Sequence, residues 1–144
     1  MIEQDTIKLL RECDAGIKMG VESIEDVLDR VRSRDLRRIL SNSKQAHEKL
    51  KLEIQEALNR FRDDGKSPNP IAKTMSQMKT GIKMGLDDSD ATIAELMTDG
   101  CNMGVKRLSR YLNQYAAADE MSKDVCKRLI KLEEELSVDM REYL

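Results

Sequence analysis

Tryptophan is absent from this chain, phenylalanine occurs once and tyrosine three times. With aromatics at 3%, stacking platforms for bases or sugars are excluded. Neither sign of charge dominates: 25 basic residues stand against 27 acidic ones, for a net charge of −2. That balance excludes a polybasic protein held by bulk charge on nucleic acid or anionic lipid, and equally a disordered acidic tail. No apolar run approaches the roughly 18 residues that cross a bilayer, and residues 1–5 have neither the basic nor the apolar region of a secretory leader. The expectation is a cytoplasmic protein without a membrane partner. Cys13, Cys101 and Cys126 form an odd set with no C-x-x-C spacing, so they read as small buried hydrophobes of a reducing compartment.

What is present is helix. Only two prolines and seven glycines interrupt a 144-residue chain rich in Leu, Met, Lys, Arg and Glu, and that length makes one domain the default. Apolar residues recur at alternating steps of three and four, the mark of a helix with one buried stripe. The first stripe runs Leu10, Cys13, Ile17, Val21, Ile24, Leu28 and Val31, after an Asp5/Thr6 cap. Ser33 opens a second, through Leu36, Leu40, His47, Leu50, Ile54, Leu58 and Phe61. So short a break makes the two helices antiparallel. Residues 63–70 are the strong loop signal, ending in Asn69 as N-cap and Pro70 as first helical residue. A short helix then carries Ile71, Met75, Met78 and Ile82; it either stops at Gly85 or runs on through Leu86. A third long stripe runs from Ile93 through Met97, Gly100, Gly104, Leu108, Leu112 and Tyr115. The last, capped by Asp119 or Ser122, runs Cys126, Leu129, Leu132, Leu136 and Met140. These spacings predict long helices of about 25–29 residues each. They form an all-α four-helix bundle of two hairpins, 5–62 and 88–144, joined by a crossover over 63–87.

The hairpins look like copies of one another. Gly16-Ile17-Lys18-Met19-Gly20-Val21 matches Gly100-Cys101-Asn102-Met103-Gly104-Val105 at four of six positions, and the correspondence continues with Ile24 and Leu108, then Leu28 and Leu112. Gly81-Ile82-Lys83-Met84-Gly85 repeats the first pentapeptide. Glycine inside a helix costs about 1 kcal/mol relative to alanine. Gly16, Gly20, Gly100 and Gly104 therefore predict close helix packing, with close approach of a ligand as the alternative.

With its paired hairpins, crossover, mid-helix Gly-x-x-x-Gly segments and the ending Leu129-Ile130-Lys131-Leu132-Glu133-Glu134-Glu135-Leu136, the chain resembles the ferritin-like superfamily, in particular its small rubrerythrin-type and bacterial members. The resemblance implies a ferritin-like four-helix bundle. In metal-binding members two helices each supply a Glu and two others each supply Glu-x-x-His. Here the positions of the first Glu are held by Gly16/Ile17 and Gly100/Cys101. His47 is the single histidine, and Lys44 stands three residues before it, so Glu-x-x-His does not occur. The expectation is therefore a bundle without metal or cofactor, His47 being a hydrogen-bonded core residue. Glu133 aligns with His47 in the second hairpin and invites a pair across the bundle, although Leu132 suits the seam better.

No nucleophile elbow, phosphate-binding loop, dinucleotide fingerprint or zinc spacing occurs. Arg30, Arg32, Arg34, Arg37 and Arg38 crowd the first hairpin turn, as a solvated tip balanced by Asp29 and Asp35 or as an anion or partner patch. Three functions follow. The first is a non-catalytic structural or protein-interaction bundle, self-associating, most simply as a homodimer. The second is a reduced-ligand metalloprotein using His47 with nearby carboxylates, as the resemblance would imply. The third is a nucleic-acid-associated bundle using the arginine tip.

Overall fold

Four α-helices make up the computed structural model, which describes residues 2–67 and 89–144. They are α1 (Ile2–Leu28), α2 (Arg34–Arg60), α3 (Asp90–Gln114) and α4 (Glu120–Met140), followed by a 3₁₀ turn at Arg141–Tyr143. No strand occurs among the described residues, and none of their helices is long and apolar enough to cross a membrane. The short helix expected from Asn69 and Pro70, the pentapeptide at 81–85 and Met75, Met78 and Met84 lie outside the described residues.

Caps explain where the helices begin. The Ser33 side chain accepts the Leu36 N–H and opens α2, Ser89 accepts from Thr92 and opens α3, and Asp119 accepts from Ser122 and opens α4. The Ser89 cap has extended backbone, so the helical register of α3 is interrupted before Asp90. Ser122 is bonded by the cap and is not the cap itself. Two expectations need correction at the chain ends. Helix α1 begins at Ile2, because Glu3 and Asp5 suit a first helical turn. Asp5 and Thr6 lie inside it and bond elsewhere: Asp5 accepts the Ala117 N–H at 3.1 Å, and the Thr6 hydroxyl accepts the Asp119 N–H at 2.8 Å. Helix α4, with 21 residues, is shorter than its stripe predicted, since the chain tightens into the 3₁₀ turn after Met140.

These contacts give the helix directions. The start of α1 meets the α3–α4 turn at one end of the bundle. At the other end the Asp90 carboxylate accepts the backbone N–H groups of Arg32 and Ser33, both at 2.8 Å. Helix α3 therefore starts beside the α1–α2 turn and runs parallel to α2, whereas α1 and α4 run together the opposite way. Closest packing is within the pairs α1–α2 and α3–α4. The chain leaves the described part at Ser67 near one end and re-enters at Ser89 near the other. At the exit Asp63 accepts from Arg11 at 2.9 Å, and Lys66 pairs with Glu12.

The core has two apolar layers. One gathers Leu9, Leu10, Cys13, Ile17, Ile54, Leu58, Cys126 and Leu129, and the other Ile24, Leu36, Leu40, Ile93, Met97, Leu136 and Met140. All three cysteines are buried and free. Burying one Leu or Ile contributes about 1.5–3 kcal/mol, so these layers dominate the stability. Between them lies a polar layer.

Asp90 is the clasp that seats the second hairpin on the first. In Asp90→Ala two backbone N–H groups lose their acceptor, and urea denaturation is expected to show a loss of about 1–2 kcal/mol.

Candidate functional site

The polar layer is built on Gly20 of α1, His47 of α2, Gly104 of α3 and Glu133 of α4. His47 is fully buried and Glu133 only 8% exposed. This corrects the seam assignment in α4: Glu133 faces inward and Leu132 is half-buried. The reason is a partner. His47 Nε2 lies 2.8 Å from Glu133 Oε1, and a buried carboxylate so bonded is tolerated where an unpaired one is not.

The ring's other nitrogen settles the protonation. Nδ1 lies 2.7 Å from the Ser43 carbonyl oxygen, which can only accept, so Nδ1 carries a proton. Nε2 must then either donate to the Glu133 carboxylate or accept from a Glu133 carboxyl. In both cases one proton sits between the two side chains. Burial by itself pushes the His47 ring down; the hydrogen bond and charge of Glu133, with help from Ser43, outweigh it and hold the ring above its ordinary value. The Cys101 thiol, beside the same carboxylate, is pushed far up by burial and by Glu133, so it stays protonated.

Glycine makes room for this pair. A Cβ on Gly20 would stand 2.9 Å from His47 Cδ2, closer than real contacts allow, and a tight 3.3 Å from Glu133 Oε1. Gly16 and Gly104 differ: a Cβ there would meet Leu108 at 3.7 Å or Glu133 Oε2 at 3.6 Å, ordinary contact distances. These three glycines, with Gly100, line a cleft of about 60 Å³ between α1 and α3. His47, Cys101 and Glu133 also line it, as do Lys66, Arg107 and Tyr111.

The arginines stand apart from this site, at the α1–α2 turn. Arg32, Arg34, Arg37 and Arg38 are exposed and Arg30 is half-buried. Arg37 Nη2 donates to the Val31 carbonyl at 2.5 Å, and Arg38 pairs with Asp35 at 3.2 Å. The sequence invited a His47–Glu133 pair but set Glu133 beside the seam, and it revealed neither the cleft nor Arg107 in its wall. The signal was available in the glycines, which lie on the faces that α1 and α3 turn to each other.

Among the described residues no group of three or more His, Cys, Asp or Glu side chains is arranged to hold a metal ion. Both His47 nitrogens are engaged, so the ring has no free lone pair to offer.

Alanine separates the glycines. Gly20→Ala forces His47 aside and is expected to destabilise by about 1–2 kcal/mol. Gly16→Ala and Gly104→Ala gain helix propensity without a clash and are each expected to stabilise by about 0.5–1 kcal/mol, read as raised Tm. The His47 pair also sets a pH dependence. Because the folded ring holds its proton above its unfolded pKa of about 6.5, the contribution is full below that pH and is lost as pH rises through the folded value. Urea midpoints are expected to fall on raising the pH above about 6.5, and Glu133→Gln, which removes the opposing carboxylate, to abolish that fall. Comparison with known proteins returned no matching family model, no matching curated protein and no matching solved structure.

Proposed function

We propose that this chain is a non-catalytic bundle of the ferritin-like kind, with a structural or binding role, in which a hydrogen-bonded pair takes the place of a dinuclear metal centre. One observation carries the reading: where the four helices converge, His47 and Glu133 satisfy each other, and the other two helices contribute Gly20 and Gly104. The ferritin-like part is supported by the helix directions. Two antiparallel hairpins, with α2 and α3 parallel, require a connection from one end of the bundle to the other.

The metal that the resemblance implies does not fit these residues. A dinuclear carboxylate site needs about four inward carboxylates and imidazole lone pairs. This layer has one carboxylate, already bonded, and a ring committed at both nitrogens. No redox or hydrolytic step is derived through it.

A native mass spectrum of protein purified without chelator and then exposed to ferrous iron tests the reading. The expected masses are those of the bare chain or its multiples. Two iron ions per chain, retained after desalting, would overturn it.

A further inference from the structure

The cleft between α1 and α3 has features that packing does not explain. Each internal glycine costs about 1 kcal/mol against alanine, yet at Gly16 and Gly104 a Cβ would fit at 3.6 Å or more from its neighbours. The space is therefore kept at the expense of stability. Its volume of about 60 Å³ exceeds the roughly 10–15 Å³ that one water requires several-fold. That suits a molecule of about half a dozen heavy atoms.

Of the charged groups lining this space, Glu12 and Lys66 pair with each other, which leaves Glu133 and Arg107. Glu133 gives Oε1 to His47, and its Oε2 faces Gly104 in the cleft wall. Arg107, three residues after Gly104 and on the same face, lines the cleft half-buried and has no ion pair or hydrogen bond among the described residues. Lys66, the other cation lining it, is occupied by Glu12. Between carboxylate and guanidinium the walls are glycine backbone and the side chains of Met19, Met97 and Leu108. A small, largely apolar slot with a carboxylate and a guanidinium that has no partner among the described residues is the composition of a site for a small dipolar ligand.

We infer that this cleft binds a small amino-carboxylate of glycine or alanine size, its carboxylate on Arg107 and its ammonium on Glu133 Oε2, the oxygen that faces Gly104. The guanidinium matches a carboxylate in two parallel hydrogen bonds. The ammonium adds a charged donor to a carboxylate that otherwise, among the described residues, has only His47 and the Cys101 thiol beside it, and the glycine walls admit the ligand's backbone-sized body. The inference rests on the cleft and not on the ferritin-like reading, which metal content decides separately.

The test is a titration of the full chain followed by amide NMR shifts, using glycine, L-alanine, acetate and methylamine as probes. Glycine or alanine is expected to give saturable shifts in residues 16–20 and 100–107, at least tenfold tighter than acetate or methylamine. Arg107→Met is expected to weaken binding at least tenfold with an unchanged helical spectrum. Gly104→Ala is expected to weaken it similarly while raising Tm, a combination that a purely structural glycine would not give. No saturable shift with any probe overturns the inference. So does equal affinity for acetate or methylamine, or binding that Arg107→Met and Gly104→Ala leave unchanged.

Discussion

A single proton held between His47 and Glu133 ties the two hairpins together inside the core. The pair spans α2 and α4, and its geometry follows from one constraint: Nδ1 faces a carbonyl and must donate to it, so Nε2 and Glu133 share whatever proton remains. Buried polar groups are costly unless satisfied. Here satisfaction requires that both hairpins be correctly docked and in register. The pair thus favours the one docking in which both side chains are satisfied.

The neighbouring residues are consistent with that constraint. Gly20 is a glycine because the His47 ring occupies the place of its side chain. Cys101 keeps its thiol proton because burial and the Glu133 carboxylate oppose a second negative charge. Polar contacts at the two ends, Asp90 on Arg32 and Ser33 and Thr6 on Asp119, fix the same docking from outside. On the surface, Arg128 makes a bidentate pair with Glu53 across α2 and α4 at 2.8 and 3.0 Å; being exposed, it adds little. Gly16 and Gly104 are the exceptions, since nothing in the packing demands them. They preserve a cleft beside the pair.

Much of the architecture was legible because helix periodicity is local. The stripes through Cys13, Ile17 and Ile24 and through Leu36, Leu50 and Ile54 are buried as their spacing requires, and Ser33 and Asp119 mark helix starts. The misreadings arose where a distant partner decided. Asp5 and Thr6 looked like a cap for their own helix, but they bond to the α3–α4 turn. Glu133 looked like a flanking residue because an isolated glutamate belongs in water; the imidazole of His47 changes that balance.

The sequence by itself determined the number and character of the long helices, the caps at Ser33 and Asp119 and the pairing of neighbours through short turns, since these depend on residues within a few positions of one another. Only the tertiary structure decided that Glu133 is buried, that Gly20 is sterically required while Gly16 and Gly104 are not, and that Arg107 and Glu133 serve one cleft. Those facts depend on distances between helices, and no local periodicity carries that information.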